Sequence, residues 1–422
     1  MKTKLMHRIL ACGGIAVLSA GLLAGCSPSG GSTSSSSDKP SGEITYALQS
    51  FAQPQIKPII DEFTKETGIT VKFASGPATD QDLLTQLVPA FTSNTSPYDV
   101  IDTGDPSVSA LAAGGWLAPL SDVAVKEYTD DLSAGMAAAH KQWNQKDGNT
   151  YRLYHNFELG YSWSNEALLA ANGLTTPKTW ADIETVGAAL KAKGIYSFAD
   201  AASKPGLTFV YLAYLTAQAG GNLYQADAGT KQAFEFAKKL IDEGYAPKDA
   251  LTWTYDQQNQ AYMSDRVATM RQWTFFNDVA PANKEWYAPE KAVLVDPPAG
   301  PGGAKTWAGG WGMSVPKAAK NKSAAMKFVE WMNQPEVAIK LAKASSFFVT
   351  ARTSVLDALG TSGIAKVLKH YSDSGFVTPR PYHPQAAKTE TIVDEIGQSY
   401  LTGQMNINTA MSELKKQLAD LG

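Results

Sequence analysis

The chain contains 422 residues, including two cysteines and ten tryptophans, and its formal net charge is −3 at neutral pH. A mildly acidic chain lacks the surplus of lysine and arginine that binding to nucleic-acid phosphates requires, so nucleic acid is excluded as a partner. The length allows more than one hydrophobic core, and 10% of the residues are aromatic.

The first 25 residues have the features of a secretory signal. They begin with three basic residues, Lys2, Lys4 and Arg8. The apolar stretch that follows has about sixteen residues, which is shorter than a typical membrane span. The motif LAGC that ends at Cys26 resembles a bacterial lipobox, and this resemblance implies that Cys26 becomes the first mature residue and carries diacylglycerol. The alternatives are an ordinary signal that is cut nearby and an anchor that is not cut.

Residues 26–42 are rich in serine and glycine. They are expected to form a flexible linker, because they contain too little apolar surface to offset the entropy lost on ordering. A linker of this length has a typical end-to-end distance of about 20–24 Å. Loss of the signal removes three positive charges and Cys12, so the mature chain is expected to carry a charge of −6 and no disulfide or catalytic thiol.

From residue 43 onwards, strands alternate with helices. Strands are predicted at 43–48, 69–74 and 98–102, and helices at 54–66, 83–91 and 106–113. Later helices are predicted at 180–192, 207–219, 230–242, 319–333 and 335–344, and later strands at 267–271, 292–296 and 312–316. A last helix has Ile407, Met411, Leu414 and Leu418 on one face. The alternation predicts an α/β fold with a parallel, doubly wound sheet. No second apolar stretch reaches the roughly 18 residues that a membrane span needs.

Five segments carry a family resemblance through their order and spacing. They are GEITYALQSFAQPQIKPIIDEFTKETGITVKF, SPYDVIDTGDPSVSALAAGGWLAPLSD, YSWSNEALLAANGLTTPKTWADI, RVATMRQW and GGWGMSVPKAAKNKSAAMKFVEWMNQPEVAIKLA. Together they resemble the extracellular solute-binding proteins of carbohydrate ABC importers, the maltose-binding-protein-like family. The resemblance covers nearly the whole mature chain.

The resemblance implies two α/β lobes joined at a hinge, with the ligand held in the cleft between them. Lobe one would contain residues 43–155 and 309–360, and lobe two would contain residues 156–308 and 361–422. It also implies a monomer that needs no cofactor or metal, binds an oligosaccharide and docks on the transmembrane subunits of an ABC permease. With the lipid on Cys26, the protein would be anchored to the outer face of the cell membrane, and an alanine-rich body favours a Gram-positive host.

A sugar presents apolar C–H faces and a rim of hydroxyl groups. Aromatic rings cover the faces, and planar polar side chains hold neighbouring hydroxyls. In open α/β sheets such sites lie beyond the carboxyl ends of the strands. Gln49, Ser50 and Phe51 follow the first predicted strand, and Thr103 and Asp105 follow the third. The alternatives are that Phe51 belongs to the core and that the aspartate caps a helix. The family often has an aromatic residue near Thr103, which this chain lacks.

The segment YHNFELGYSW matches the first crossing between the lobes of the family. Asn156 and Glu158 lie in it, where a polar group at the hinge would meet the ligand. The next part, WSN, departs from the tyrosine–asparagine pair that the family usually has. Trp273 matches the position at which the family places a stacking tryptophan, and Trp253 with its neighbour Tyr255 is a further candidate.

The segment TWAGGWGMSV matches the second crossing. Its glycine pair, which includes Gly310, permits a close approach of the backbone, and Trp307 and Trp311 flank the pair. The alternative is a glycine turn with two core tryptophans. Phe348 and Arg380 complete the predicted site, although an arginine beside aromatic rings is as often a structural stack.

Two rival functions remain open, and a third, a surface adhesin or structural lipoprotein, would not need the pattern of a hinge and a cleft. A secreted glycosidase needs two carboxylates that flank the scissile bond, and no pair is marked in this sequence. The sequence also lacks the H-E-x-x-H, G-x-S-x-G and phosphate-loop motifs. The second rival is the same fold with a non-sugar solute such as a glycerol phosphate, a polyamine or ferric iron. The sequence therefore predicts a binding protein for an oligosaccharide and not an enzyme.

Overall fold

The computed structural model describes residues 42–132, 134–350, 352–360 and 363–421. The predicted signal, the lipidation site Cys26 and almost all of the predicted linker lie outside these residues. Within them, no helix has both the length and the apolar character needed to cross a bilayer.

The described chain contains fifteen strands. They are β1 (Gly42–Gln49), β2 (Ile69–Gly76), β3 (Val100–Gly104), β4 (Leu117–Ala118), β5 (Gln145–Lys146), β6 (Asn149–Thr150), β7 (Leu153–Leu159), β8 (Tyr161–Ser164), β9 (Tyr196–Ala199), β10 (Val267–Gln272), β11 (Val293–Val295), β12 (Ala299–Gly300), β13 (Gly303–Ala304), β14 (Thr306–Pro316) and β15 (Val377–Pro379).

Seventeen α-helices accompany the strands in the described residues. They are α1 (Gln53–Thr67), α2 (Asp80–Thr92), α3 (Asp105–Ala113), α4 (Asp122–Asp130), α5 (Ala134–Asn144), α6 (Glu166–Ala171), α7 (Trp180–Leu190), α8 (Leu207–Gln218), α9 (Ala228–Asp242), α10 (Tyr255–Met263), α11 (Phe276–Ala282), α12 (Lys322–Met332), α13 (Pro335–Ala344), α14 (Thr353–Leu359), α15 (Gly363–Asp373), α16 (Ala386–Leu401) and α17 (Ile407–Ala419).

Two larger sheets organise the molecule. The seven-stranded sheet has the order β15–β14–β3–β1–β2, and β4 and β7 also pair with β14. The four-stranded sheet has the order β11–β8–β10–β9. Strands β7 and β8 are consecutive in the chain but lie in different sheets, so the chain passes from one sheet to the other at Gly160.

The first helix shows how the sequence pattern produces this packing. Ile56, Ile59, Ile60 and Phe63 are buried on one face of α1, as their spacing predicts. Gly68 ends the helix with a φ of 74°, a left-handed conformation that glycine adopts without strain, and its N–H donates to the carbonyl oxygen of Thr64. The chain then returns as β2, which pairs in parallel with β1.

The long strand β14 makes the seven-stranded sheet mixed. β1 is parallel to β2 and β3, as the alternation predicts, but β14 is antiparallel to β3 and β7. The reason is that β14 returns from the elements of the second sheet, and not through a helix that crosses over the first. The prediction of a wholly parallel sheet is therefore wrong, and the predicted strand at 312–316 is only the last part of β14.

Several apolar cores pack against the sheets, and one of them contains residues of both, such as Leu159 and Met270. The core of the seven-stranded sheet contains Tyr46, Phe63 and Phe328. Another core surrounds α8, eleven of whose twelve residues are buried, together with α9, α16 and α17.

Candidate functional site

A cleft with a volume of about 730 Å³ lies between the ends of the two sheets. Its lining residues come from the carboxyl end of β1, the first turn of α2, the loop before α8, the start of α10, the carboxyl end of β10 and the middle of β14. Ten of the candidates named from the sequence line this cleft. They are Gln49, Ser50, Phe51, Glu158, Tyr255, Trp273, Trp307, Gly310, Trp311 and Arg380.

Two tryptophans form the apolar wall of the cleft. The rings of Trp273 and Trp307 meet edge to face, with centroids 5.3 Å apart and planes inclined by 77°. The guanidinium carbon of Arg271 lies 4.6 Å from the Trp273 centroid, and that of Arg380 lies 5.0 Å from the Trp307 centroid. Trp273 remains only 9% exposed, so it presents a small part of its ring to the cleft.

Phenylalanine side chains from distant parts of the chain meet at another side of the cleft. Phe51 is 42% exposed, and its ring lies 5.4 Å from that of Phe275 and 5.0 Å from that of Phe347. All three line the cleft. The interpretation of Phe51 as a core residue therefore does not hold, since a solvent-exposed ring at the strand exit is available to a ligand.

Glu158 places a carboxylate in the cleft between the sheets. It lies in β7, next to the passage into β8, and its Oε1 accepts a hydrogen bond of 2.7 Å from the hydroxyl of Thr274. Burial raises the pKa of the Glu158 carboxyl to about 7, and the Thr274 hydrogen bond opposes this shift only in part. The group therefore titrates near neutral pH.

Arg380 and Glu390 form a buried ion pair at the edge of the cleft. Nη2 of Arg380 donates to Oε1 of Glu390 over 2.5 Å, and the amide of Gln81 donates to Oε2 over 3.0 Å. Burial still raises the pKa of the Glu390 carboxyl to about 7, although Arg380 acts in the opposite direction. Because Gln81 lies on α2 and Glu390 on α16, this cluster joins elements that are far apart in the sequence.

Asp80 opens α2 and is buried against the carboxyl end of β3. Its Oδ1 accepts a hydrogen bond of 3.0 Å from the backbone N–H of Ser107. Burial raises the pKa of Asp80, and the nearby Arg380 opposes the shift. A Cβ atom added to Gly104 would lie 2.4 Å from the Asp80 carboxylate oxygens, so the absence of a side chain at 104 makes room for this carboxylate.

Gly310 lies at a point where β14 and β7 are too close together to accommodate a side chain. An added Cβ would lie 2.6 Å from the carbonyl oxygen of Asn156 and 2.6 Å from ring carbons of Tyr154. The carbonyl belongs to β7, which pairs with β14 at this point, so the obstacle is partly backbone. Gly310 thus contributes to the cleft through close packing of β14 on β7.

Asp105 is placed below the cleft and not in its lining. Its Oδ1 accepts hydrogen bonds from Nη2 of Arg152 (2.5 Å) and from the hydroxyl of Tyr154 (2.7 Å), and all three side chains are buried. Arg152 also donates to the carbonyl oxygens of Thr103 and Gly310. This polar network holds β3 and β14 together, which explains the buried carboxylate without a ligand.

Thr103 and Asn156 are also outside the lining. The Thr103 hydroxyl lies 2.9 Å from that of Ser314, because β14 pairs with β3 and covers its end. The Asn156 side-chain amide donates to the carbonyl oxygen of Phe347. Both side chains are fully buried. The predicted ligand contacts of Thr103 and Asn156 are therefore not found in the lining, because β14 pairs with β3 and occupies the space beside its end.

Two predicted aromatic residues belong to the cores. Trp253 is buried in the core below the four-stranded sheet. Phe348 is buried in the core of the seven-stranded sheet, with its ring 4.9 Å from that of His155. Their neighbours Tyr255 and Phe347 line the cleft instead.

Sequence reasoning missed several lining residues. The loop at 76–82 follows β2 and could have been found by the same strand-exit argument. The loop at 203–206 was missed because β9 is short and was not predicted. Glu390 had a different signal: it lies on the buried face of α16 with Ala386, Val393 and Asp394, where an acidic residue is unexpected.

The sequence profile of one protein family matches most of the chain. The family is described as bacterial extracellular solute-binding protein, and the match spans residues 49–339. A curated protein of Sinorhizobium fredii (strain NBRC 101917 / NGR234), described as a probable amino-acid ABC transporter periplasmic-binding protein y4oP, is 22% identical over 304 residues. This alignment covers 65% of the present chain and 65% of the relative, so the chain spans about two thirds of that relative's length.

Solved structures share the fold at low sequence identity. Maltose-bound MalE3 of T. maritima has a TM-score of 0.80 at 17% identity, covering 90% of this chain and 100% of that one. The GacH receptor of Streptomyces glaucescens GLA.O, solved without ligand and with acarbose, has a TM-score of 0.79 at 20% identity and covers 90% and 98%. A solute-binding protein of Thermotoga lettingae TMO with bound alpha-D-tagatose has a TM-score of 0.77 at 19% identity, with the same coverage. The predicted two-lobe α/β fold is confirmed by these similarities.

Proposed function

Because the chain belongs to the bacterial extracellular solute-binding proteins, we propose that it is the lipid-anchored receptor of an ABC importer, which captures an oligosaccharide and delivers it to the permease. The observation that carries this proposal is the composition of the cleft. Aromatic rings and planar polar groups from both sheets face the same space, as the faces and hydroxyl rim of a sugar require.

The size of the cleft supports a small-molecule ligand. A volume of about 730 Å³ lies inside the range of about 300–1,000 Å³ that is common for such sites. Six indole or phenyl rings are spread over the lining, those of Phe51, Phe275, Phe347, Trp273, Trp307 and Trp311. A single sugar ring has only two faces, so this spread favours a ligand with two or more rings.

Capture would proceed by closure of the two lobes. Glu158 and Trp311 belong to the seven-stranded sheet, whereas Trp273 follows a strand of the four-stranded sheet. A ligand that contacts both sets of residues stabilises the closed form selectively, so binding shifts the open–closed equilibrium. The permease would then recognise the closed form, and the linker at 26–42 with its lipid on Cys26 would keep the receptor near it.

The solved relatives favour a carbohydrate, since their structures hold maltose, acarbose and alpha-D-tagatose. A non-sugar solute is the second candidate, because the curated relative is described as a transporter protein for amino acids. Among non-sugar ligands, the acidic residues of the lining favour a polyamine and disfavour a glycerol phosphate, since like charges repel.

The proposal is tested by calorimetry of the mature chain against a panel of di- to hexasaccharides, amino acids and polyamines. We expect an oligosaccharide to bind most tightly and to increase compactness in small-angle scattering. Tightest binding of an amino acid would contradict the oligosaccharide assignment. Appearance of new reducing ends during incubation would contradict a receptor that leaves its ligand unchanged.

A further inference from the structure

The lining of the cleft carries an excess of negative charge. Five carboxylates line it, those of Asp80, Asp82, Glu158, Asp256 and Glu390. Two cations oppose them, Lys204 and Arg380. With every group ionised, the lining therefore has a net negative charge. This charge disfavours an anionic ligand.

Both cations are already in ion pairs. Arg380 is paired with Glu390 over 2.5 Å, and Lys204 is paired over 2.8 Å with Glu395, which does not line the cleft. Within the described part of the chain, the other four lining carboxylates have no basic side chain in ion-pair contact. Their negative charge can be stabilised by helix N-termini, by water or by a ligand in the cleft.

The charge of two of these four carboxylates is stabilised by nearby structure. Asp82 and Asp256 lie in the first turns of α2 and α10, where the partial positive charge of a helix N-terminus, roughly half an elementary charge, stabilises them. Both side chains are exposed, so water also screens them. Neither requires a cationic ligand.

The other two, Asp80 and Glu158, are buried, and each is only 6% exposed. Asp80 accepts from the backbone N–H of Ser107, and Glu158 accepts from the hydroxyl of Thr274. These donors are neutral. The N-terminus of α2 and the nearby Arg380 also favour the charged form of Asp80, and Arg271 favours that of Glu158, but neither carboxylate has a cation in ion-pair contact among the residues that the structure describes. Burial is the main cause of the raised pKa of both carboxyls, and it outweighs these favourable contacts.

Taking the proposed carbohydrate receptor as the premise, we infer that the solute is an aminated carbohydrate whose protonated amines are held by Asp80 and Glu158, which both line the cleft. Charge-assisted hydrogen bonds from an ammonium group are stronger than those from hydroxyls, and the ammonium supplies the positive charge that the cleft lacks. The sugar hydroxyls have their own partners in the neutral polar lining, namely Gln49, Ser50, Thr79, Gln81, Ser203 and Thr254. A linear polyamine would leave most of these groups unused.

The test compares ligands that differ only in the charged group. Calorimetry at neutral pH measures the affinity of the full mature chain for oligomers of glucosamine, glucose and N-acetylglucosamine with equal numbers of rings. A second panel covers other amino sugars, each with its hydroxyl counterpart. We expect at least one aminated compound to bind about tenfold or more tightly than its neutral counterparts. This advantage should shrink between about 10 mM and 1 M salt, since the Debye length falls from about 30 to 3 Å.

Three substitutions identify the groups responsible. Glu158→Gln and Asp80→Asn each keep the shape of the side chain and remove its charge, so each should lower the ratio of aminated to neutral affinity by about tenfold. Glu127→Gln removes the same charge from an exposed position on α4 and should leave the ratio unchanged. A purely structural role of Asp80 or Glu158 would weaken both ligands equally and would leave the ratio at its original value.

The outcomes separate this inference from the proposed function. Neutral oligosaccharides that bind as tightly as their aminated counterparts would overturn the amine and leave the carbohydrate receptor intact. Binding of linear polyamines with no binding of any sugar would overturn both. Failure of every compound in the two panels to bind would contradict the proposed function and the inference that depends on it.

Discussion

Trp273 and Trp307 meet edge to face at the wall of the cleft, with their ring centroids 5.3 Å apart. Trp273 follows β10 of the four-stranded sheet, and Trp307 lies in β14 of the seven-stranded sheet, so this contact joins the two sheets. Arg271 lies over the ring of Trp273, and its guanidinium donates two hydrogen bonds of 2.6 and 2.7 Å to the Asp200 carboxylate. The two tryptophans are therefore packed into the structure, and their rings also line the cleft.

Trp311 and Trp273 should respond differently to truncation. Trp311 is half-buried and lines the cleft, so Trp311→Ala should cost about 1–3 kcal/mol of ligand affinity with little change in Tm. Trp273 is almost fully buried in a core, so Trp273→Ala should also lower the free energy of unfolding by about 3–5 kcal/mol. Calorimetric titration and thermal unfolding measure the two effects, and an unchanged Tm for Trp273→Ala would contradict the structural role.

Removal of Arg380 should show how strongly a buried, unpaired Glu390 carboxylate destabilises the folded protein. Arg380→Met leaves a carboxylate that is 1% exposed without its cation, which should destabilise the protein by about 3–5 kcal/mol. Addition of Glu390→Gln should restore most of this loss, because the buried charge is then gone. Urea unfolding of the single and double variants gives the coupling energy. A double variant no more stable than Arg380→Met would show that the ion pair is not the cause.

The loss in Arg380→Met should also depend on pH. The pKa of Glu390 is about 7 even with the arginine present, and it rises further without it. The destabilisation should therefore be largest above neutral pH and should diminish towards pH values near the usual glutamate pKa of about 4.3. The same urea measurements at several pH values reveal this trend.

Gly310→Ala should loosen the pairing of β14 with β7. The new methyl group would lie 2.6 Å from a backbone carbonyl oxygen, which can move only if the strands separate. We expect destabilisation of about 1–3 kcal/mol or more. Gly309→Ala is the matched control, because the three atoms nearest to its Cβ would all belong to side chains, the closest being 3.0 Å away in Trp307. Equal Tm values for the two variants would contradict the backbone constraint.

The parts of the fold that depend on local pattern were predictable from the sequence. The helix predicted at 54–66 is found as Gln53–Thr67, because Ile56, Ile59, Ile60 and Phe63 recur at helical spacing and Gly68 ends it. The position of the residues after β1 and β10 was also predictable, because the direction of a strand determines where its carboxyl end lies. These residues line the cleft.

The parts that depend on distant partners were not predictable from local pattern. Asp105 looks like a ligand contact until Arg152, 47 residues later, is seen to hold its carboxylate. The end of β3 looks open until β14, which comes some 200 residues later, pairs with it. Single-sequence patterns carry no information on such pairings, so buried polar networks are easily mistaken for binding sites.

Glu158→Gln should change the pH dependence of stability of the free protein. The folded carboxyl has a pKa of about 7, above the usual 4.5, so its neutral form stabilises the folded state fully below pH 4.5 and this contribution is lost as the pH rises through 7. The variant carries no such charge and should be more stable than the wild type at pH 8 by up to about 3 kcal/mol. Thermal unfolding at pH 5 and pH 8 measures the difference, which should nearly vanish at the lower pH. A constant difference at both would contradict the raised pKa.

The lipid anchor is tested by two cysteine substitutions in a bacterial host that processes lipoproteins. Cys26→Ser removes the thiol to which the lipid would be attached, so the protein should move from the detergent phase to the aqueous phase in a phase-separation assay. Cys12→Ser is the matched control, because Cys12 would leave with the signal and should not affect partition. If Cys26→Ser stays in the detergent phase with residues 1–25 attached, the segment is an uncleaved anchor. If the wild type is found in the aqueous phase and begins near residue 26 without lipid, an ordinary signal has been removed. Mass spectrometry of the N-terminal peptide distinguishes these outcomes, since diacylglycerol on Cys26 adds a mass that neither alternative can produce.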